Sequence, residues 1–293
     1  MEKNQSFFNY IVPVFNKEDI LPLTLEGLDK CTSRKSKIFI IIDGCTDNSE
    51  NIVDDFALKT GRNIEKIHMP DVHMLRSVNE ALKRVKKGFS VIMQDDIVLE
   101  DEEFESKISN LYAEMGDRLG VVSLRMAANI APASIFRRLR MWQLASMIEE
   151  IDFLIKSNEP QNHCVADYGS FYPRMDAING PNVIPWSVRE KVGILDEALA
   201  PYGYDDPEYC LRAMKAGFIN GLFPLKFRSD VEWGGTRRSK KYLAEVARIH
   251  IRNRKYIWNK HGKYINWLWK TNRVNISKQP FTTLKSLIDC SAK

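Results

Sequence analysis

Short apolar runs alternate with helical patterns through the first 124 residues. Apolar runs of strand length lie at 7–14, 37–42, 64–68, 90–93 and 119–124. Between them, apolar residues recur at helical spacing over 17–30, 50–59, 75–87 and 102–115. Strands that alternate with helices across short loops predict an α/β fold, with a mostly parallel sheet, right-handed crossovers and helices on both faces.

The pattern changes after residue 124. The elements predicted there are an amphipathic helical insertion over 131–156, a strand over 177–184, a short helix over 187–192, a helix over 207–215, a strand over 219–223 and a basic helix over 242–258. Ser187 and Asp206 are the residue types expected at helix N-caps, and Pro207 suits a first helical position. A basic tail with tryptophans, 264–293, follows.

Two adjacent carboxylates, Asp95 and Asp96, follow the fourth apolar run after a single residue, Gln94. Ligands of open α/β sheets bind at the carboxyl ends of the strands, so this pair is placed to hold a hard divalent cation and, through it, a diphosphate. The alternative is a solvated loop in which one of the two caps a helix that starts near residue 102. From these residues alone, both interpretations stand.

No glycine-rich phosphate loop follows the first strand, and the chain has no Gly-Lys-Ser/Thr motif. A nucleotide would therefore have to be held by side chains and a metal ion. The formal charge of +5, from 43 basic and 38 acidic residues, is too small to indicate a nucleic-acid partner. Bases do outnumber acids in 226–293, which favours anionic phosphates or an anionic membrane surface.

The cellular setting predicted is the cytoplasm, with peripheral contact at the inner face of the cell membrane through the basic tail. The five cysteines are scattered, which argues against a disulfide framework or a zinc site and fits a reducing compartment. Residues 1–6 have no apolar signal core. The longest aliphatic or aromatic run, 38–42, is too short to span a bilayer.

Four motifs in order carry a resemblance to a known family. They are Val12 to Asn16, Ile41 to Ser49, Gln94 to Asp96, and Gly193 to Glu197 followed by Asp205 to Arg212. In this order and spacing the chain resembles family 2 glycosyltransferases from about residue 7 to 223. The resemblance implies a GT-A type, Rossmann-like fold in which a nucleotide half and an acceptor half form one domain.

With that resemblance, the chain divides into a glycosyltransferase domain over 1–235 and a basic helical extension over 236–293. Within the domain, 7–124 would be the nucleotide-sugar half, 130–158 the helical insertion and 165–225 the acceptor half. The implied activity is inverting transfer of a sugar from a nucleotide-diphosphate donor to a glycan or lipid-linked acceptor in surface polysaccharide biosynthesis. Mn²⁺ or Mg²⁺ is the implied cofactor, and UDP is the default nucleotide because it is frequent in the family.

The resemblance also implies roles for individual carboxylates. Asp43 would contact the nucleotide base, Asp95 the donor, and Asp95 with Asp96 the metal. Asp206 would be the catalytic base, with Asp205 beside it. Each has a plainer alternative: Asp43 as a turn former bonded to its own backbone, and Asp205 or Asp206 as a helix cap.

Further candidates surround these carboxylates. Pro13 and Asn16 belong to the nucleotide side, where shaping the loop after the first strand is the simpler role. Arg237 and Arg238 follow Gly234-Gly235 and could close over the phosphates, or form a solvated basic patch.

Two aromatic residues are candidates for the acceptor side. Trp186 and Tyr204 could line the acceptor site, because aromatic faces suit sugars, but Trp186 suits a core equally well. Arg212 is expected to pair with a nearby carboxylate.

The chain departs from the family pattern in three motifs. Ile42 replaces the first of two aspartates, Met93 stands where an Asp-x-Asp motif would begin, and Glu232 and Trp233 replace a histidine before the late glycine pair. These departures keep open a catalytically impaired binding or scaffold protein. A nucleotidyltransferase is a further alternative, and the missing glycine-rich loop speaks against it.

Overall fold

The computed structural model describes residues 7–131, 155–156, 167–178, 180–229 and 240–271. For 131, 155–156 and 240–244 it describes the backbone alone. The predicted helical insertion lies almost wholly outside the described residues. So do Arg237, Arg238 and the tail beyond 271.

The described residues form helices and strands in alternation. The helices are α1 Leu21–Cys31, α2 Ser49–Thr60, α3 His73–Arg84, α4 Phe104–Met115, α5 Trp186–Val192, α6 Asp205–Lys215 and α7 Lys240–Lys270. The strands are β1 Phe8–Val14, β2 Lys37–Asp43, β3 Ile64–Met69, β4 Phe89–Ile92, β5 Val98–Leu99, β6 Leu119–Ser123, β7 Met126–Ala128, β8 Ile130–Ala131, β9 Ile155–Lys156, β10 Tyr172–Pro173, β11 Asp176–Ile178, β12 Asn182–Pro185, β13 Ile219–Leu222 and β14 Phe227–Arg228.

The main sheet runs in the order β10-β13-β6-β12-β4-β1-β2-β3. Strands β4, β1, β2 and β3 are parallel neighbours, and β13 is parallel to β6. Strand β12 lies antiparallel between β4 and β6, and β10 lies antiparallel at the edge. The prediction of a mostly parallel sheet is confirmed, and β12 is the strand that joins the two halves.

Strand β1 is buried on both faces, as expected of a central parallel strand. Its alternate residues enter two cores: Tyr10 packs in one, with α1 and α4, and Ile11 in the other, with α3, α6 and α7. The helices therefore cover both faces, as predicted. None of the described helices is both long and apolar enough to cross a bilayer.

The strand predicted over 177–184 is two strands. Strand β11 pairs antiparallel with β7 outside the main sheet, whereas β12 pairs with β4 and β6. Gly180, with a φ of 110°, lies between them in a conformation that L side chains rarely adopt. The backbone changes direction there, which apolar patterning alone did not show.

Two helix starts also differ from the prediction. Helix α6 begins at Asp205 behind Tyr204, which has a φ of 65°, so Asp206 lies inside the first turn and is not the N-cap. Helix α5 begins at Trp186 behind the extended Pro185, so Ser187 is not a cap either. In both cases the residue before the helix makes no side-chain capping hydrogen bond.

The basic helix predicted over 242–258 continues to Lys270 as one helix, so part of the supposed tail is helical. Gly262 does not interrupt it. A Cβ at this glycine would lie 2.9 Å from the Trp258 indole, so the indole packs where a larger side chain would stand. The tight packing explains why a glycine is tolerated inside the helix.

Candidate active site

The carboxylate pair lies where β4 ends. The Met93 N–H donates to the Ile11 carbonyl at 3.1 Å, so the chain stays beside β1 for one residue after the strand. The Met93 side chain is fully buried in the core. The residue that departs from the Asp-x-Asp pattern is therefore a core residue, and the acidic positions of this loop are Asp95 and Asp96.

Asp95 is tied to the loop after β1. Its Oδ2 accepts a hydrogen bond from the Phe15 N–H at 3.0 Å, and the Thr24 hydroxyl donates to its carbonyl at 3.0 Å. Burial raises the pKa of Asp95 to about 7, against the charge of Lys17 and the Phe15 N–H, and the Asp96 charge adds to the rise. The charged form is disfavoured here unless a cation lies beside it.

Asp96 is only 8% exposed, and its buried Oδ1 accepts no hydrogen bond from the described residues. An unpartnered buried carboxylate oxygen is costly, so a ligand is expected there. The described residues contain no group of three or more His, Cys, Asp or Glu side chains that could hold a metal. Mg²⁺ commonly takes one or two carboxylates and completes its shell with phosphates and water, so the pair fits such an ion.

The alternative role of Asp95 or Asp96 as a helix cap is wrong. Strand β5 intervenes between this loop and α4, pairing antiparallel with β14. The carboxylate at the start of α4 is Asp101, whose Oδ1 accepts from the Glu103 N–H at 3.1 Å. The loop acids are therefore not used by the next helix.

Asp43, at the end of β2, is 2% exposed and points its carboxylate toward a neighbouring loop. Its Oδ1 accepts from the Val72 N–H at 2.8 Å, which ties β2 to the loop after β3. Gly44 follows with a φ of 72°, and a Cβ there would lie 2.8 Å from Asp71, so glycine is required. Ile42, the other departure from the family pattern, packs in the core.

Asn16 joins the loop after β1 to the loop after β2. Its Oδ1 accepts from the Thr46 N–H at 2.8 Å, and beside it the Lys17 N–H donates to the Ser49 hydroxyl at 2.9 Å. Pro13 lies within β1, opposite Ile41 of β2. These contacts agree with the simpler role for Pro13 and Asn16, in which they shape the loop.

Non-glycine residues with positive φ cluster around these loops. Within the described ranges they are Asn16, Asp71, His73 and Tyr204, with φ from 49° to 65°. Three follow strands β1 and β3, and Tyr204 precedes α6. The His73 and Tyr202 rings stack at 6.1 Å, so the loop after β3 meets the one before α6. Such costly backbone conformations concentrate at functional sites, and no sequence pattern marked them.

The second acidic pair opens α6. The Asp205 Oδ1 accepts from the Gly203 N–H at 3.1 Å. Asp205 and Asp206 both line a cavity of about 20 Å³ together with Ile92, the last residue of β4, and Asn182, the first of β12. The acidic turn of α6 is therefore brought to Ile92 at the carboxyl end of β4, three residues before Asp95 along the chain.

Asn182 is a polar group at this cavity that the sequence analysis missed. It is 5% exposed, and its amide nitrogen donates to the Ala177 carbonyl at 3.0 Å. Its Oδ1 is buried and accepts no hydrogen bond within the described part of the chain. The Asn182 Oδ1 can therefore accept a hydrogen bond from a hydroxyl or a water. Its place in an apolar run hid it from pattern analysis.

A sequence profile of glycosyl transferase family 2 matches residues 10–174. The chain belongs to glycosyl transferase family 2. The match ends before the acidic turn of α6. No curated protein matches the sequence.

Solved structures of glycosyltransferases share the fold. Staphylococcus aureus TarS 1–349 in complex with UDP-GlcNAc is 14% identical with a TM-score of 0.51, and the match covers 83% of this chain and 64% of that one. The S. aureus TarS structure is 13% identical, with 83% and 38% covered and a TM-score of 0.51. The Pyrobaculum calidifontis mannosyltransferase PcManGT with GDP-Man and Mn²⁺ is 14% identical, with 74% and 54% covered and a TM-score of 0.51.

These likenesses show the GT-A fold, as predicted, in a chain that spans less than two thirds of each of these three structures. The family fold does not bring every candidate residue together. The Trp186 N–H donates to the Gly88 carbonyl at 2.8 Å, beside the amino end of β4 and away from Asp95. Tyr204, in contrast, directly precedes the acidic turn of α6, half-buried against His250.

Arg212 pairs with the buried Glu208 at 2.8 Å, which confirms its expected pairing with a carboxylate.

Proposed function

We propose that this chain is an inverting glycosyltransferase. It would move a sugar from a nucleotide-diphosphate donor, with UDP as the default, to a hydroxyl of a glycan or lipid-linked acceptor in surface polysaccharide biosynthesis. The observation that carries the proposal is the cavity that Asp205 and Asp206 share with the last residue of β4. The complexes of TarS with UDP-GlcNAc and of PcManGT with GDP-Man and Mn²⁺ support a nucleotide-sugar donor and a divalent ion.

The donor end would use the loops after β1, β2 and β4. Asp43 would contact the nucleotide base, and Asp95 and Asp96 would hold Mn²⁺ or Mg²⁺. A bound divalent ion would act there as a Lewis acid that neutralises charge on the departing diphosphate. Lys17, whose charge already acts on Asp95, would add a positive group beside the phosphates. The roles of Arg237 and Arg238 stay a prediction.

At the acceptor end, Asp206 would be the general base. The acceptor oxygen attacks the anomeric carbon on the face opposite the diphosphate, and the bond from that carbon to the phosphate oxygen breaks with its electron pair going to the diphosphate. The acceptor proton passes to the Asp206 carboxylate. A positioned base of this kind contributes on the order of 10²–10⁴-fold in rate. Asp206 is the candidate because the family resemblance assigns the base to this acidic pair, and Asp205, which accepts from the Gly203 N–H, stands beside it.

We also propose that the chain works at the cytoplasmic face of a membrane, with one domain over 1–235 and its extension over 236–293. The exposed Trp267 and Trp269, 43% and 40% accessible, lie near Lys270 at the end of α7 and support contact with an anionic surface. Tyr204 would face the acceptor. Trp186 is left out of the acceptor site, because it lies at the other end of β4.

The test is thermal unfolding with nucleoside diphosphates and nucleotide sugars, with and without Mn²⁺, together with release of the nucleoside diphosphate in the presence of an acceptor extract. We expect one nucleotide to raise the melting temperature of the wild type only with the metal, and Asp95→Asn to abolish the rise. No shift with any nucleotide, in a folded sample, would overturn the donor site.

A further inference from the structure

The base loop, residues 200–204, joins the 3-10 turn Glu197–Leu199 to the acidic turn of α6. It ends in two consecutive left-handed residues, Gly203 with a φ of 91° and Tyr204 with a φ of 65°. The left-handed conformation is costly for Tyr204 because it has a side chain. Contacts from elsewhere must therefore hold the loop in this shape.

Those contacts come from α7, some 50 residues further along the chain. Asn253 is fully buried, and its amide nitrogen lies within hydrogen-bond distance of three carbonyl oxygens, those of Leu199 at 2.9 Å, Tyr202 at 3.2 Å and Gly203 at 2.7 Å. Its Oδ1 accepts from the Arg252 guanidinium at 3.0 Å, which fixes the orientation of the amide. Arg252 also donates to the Ala200 carbonyl.

His250, one turn earlier on α7, covers the same loop. Two atoms of its ring lie 2.7 Å from the place where a Cβ on Gly203 would stand, so only glycine allows this approach. The ring also meets Tyr202 and Tyr204 edge-on, at centroid distances of 5.9 and 5.5 Å. Side chains of α7 therefore contact the base loop through its carbonyls, its glycine and its rings.

Helix α7 is itself anchored on α6. Glu208, which is fully buried one turn into α6, pairs with Arg212 at 2.8 Å and with two α7 residues, Lys260 at 2.9 Å and His261 at 3.1 Å. Lys260 also pairs with Asp196 at 2.6 Å, before the base loop. The ion pairs hold α7 on both sides of the loop, so Asn253 stands at a defined place.

We propose that Asn253 is a positioning residue for the catalytic base. Its amide holds the carbonyls of the base loop, the Gly203 N–H then meets Asp205, and the first turn of α6 presents Asp206 to the acceptor. The inference rests on the proposed function of Asp206. It makes α7, which lies outside the family match of 10–174, part of the active site. A small misplacement of a catalytic group can cost about 10²-fold in rate.

The test compares Asn253→Asp and Asn253→Ala with the matched control Asn266→Ala in the full chain. The side chain of Asn266, on the same helix, makes no hydrogen bond with the described residues. Aspartate keeps the shape of asparagine and loses the amide donors when it is ionised. We expect both Asn253 variants to lower kcat about 10²-fold. The donor KM and the nucleotide-induced melting shift should stay at the wild-type value. The control should keep wild-type kcat.

A second readout is the pH profile of Asn253→Asp. A protonated aspartate has one O–H donor, so its kcat relative to the wild type should rise as the pH falls, whereas Asn253→Ala should show no such recovery. Wild-type kcat in both variants would overturn the proposal. So would loss of nucleotide binding together with kcat, because Asn253 would then only support the fold. A wild type that transfers no sugar would instead overturn the proposed function, and this inference with it.

Discussion

At the proposed donor end of the site, carboxylates accept hydrogen bonds from backbone amides of adjacent loops. At the base loop, in contrast, side chains of a distant helix hold backbone carbonyls. Asp95 takes the Phe15 N–H and Asp43 takes the Val72 N–H. In the base loop, the carbonyls of Tyr202 and Gly203 accept hydrogen bonds from the Asn253 amide. The first arrangement lies within one half of the sheet, and the second depends on α7.

Mutations at the two ends should affect different properties of the protein. Parallel strands end at one edge, so the donor loops meet as soon as the sheet forms. The base loop is held by α7, which packs on α6 through Glu208 and so links residues more than 50 positions apart. We therefore expect nucleotide binding and sugar transfer to be separable by mutation.

The largest effect should come from Asp206→Asn. Loss of the base should lower kcat on the order of 10²–10⁴-fold, while the nucleotide-induced melting shift stays at the wild-type value, because the donor end does not use this carboxylate. Turnover assays and thermal unfolding on the same sample check this. A variant with wild-type kcat would remove Asp206 from the mechanism.

Glu208→Gln should separate the two ends by loosening α7. Removing one member of a fully buried ion pair costs about 3–5 kcal/mol. Because Arg212 and Lys260 are partly exposed, we expect a loss near the lower end of that range. Burial opposes ionisation of Glu208, but the hydrogen bond from His261, the charge of Arg212 and the hydrogen bond from Lys260 together lower its pKa, so it is charged at neutral pH.

Denaturant unfolding measures the free energy of unfolding that Glu208→Gln loses. The control variant is Glu103→Gln. Glu103 also pairs with a lysine, Lys107, but is 74% exposed, so its loss should change stability by less than about 1 kcal/mol. Equal effects of the two substitutions would contradict the anchoring role of Glu208. Transfer should fall with the loss of α7 docking, and nucleotide binding should survive.

Asp95→Asn should abolish nucleotide binding and leave the docking of α7 unchanged. The nucleotide-induced stabilisation, about 2.7 kcal/mol at a ligand concentration one hundred times Kd, should disappear. The protein without nucleotide should keep its stability at pH 8, because asparagine still accepts from the Phe15 N–H and a buried charge is removed. Asp117→Asn, on an exposed turn, is the matched control and should bind nucleotide normally. A wild-type rise in melting temperature with nucleotide in Asp95→Asn would exclude Asp95 from the donor site.

The smallest effect is the acid stability carried by Asp196. Burial opposes ionisation, but hydrogen bonds from Lys260 and Tyr256 lower its pKa to about 2. A lowered pKa stabilises the fold above the ordinary aspartate value, and that stability, about 2 kcal/mol, is lost as the pH falls from about 4 to about 2. Asp196→Asn should be less stable than the wild type at pH 6 and equal to it at pH 2 in urea unfolding. A constant difference across this range would contradict the assignment.

The sequence by itself determined the strands and loop carboxylates of the proposed donor end. The strands, the carboxylates Asp43, Asp95 and Asp96 at their ends, and the family resemblance are local in sequence, because a strand and the loop after it are adjacent along the chain. Their placement at one edge then follows from the parallel sheet.

Only the tertiary structure decided which residues lie at the proposed acceptor end. Asp206 was expected at the N-cap of α6, but the helix starts two residues earlier than predicted, at Asp205, behind the left-handed Tyr204. Trp186 was a candidate for the acceptor site, and the register of β12 beside β4 places it at the opposite edge. Asn253 gave no signal at all, since one polar residue in a basic helix resembles any other until the helix docks. Contacts between segments 50 residues apart depend on packing, and local pattern does not encode them.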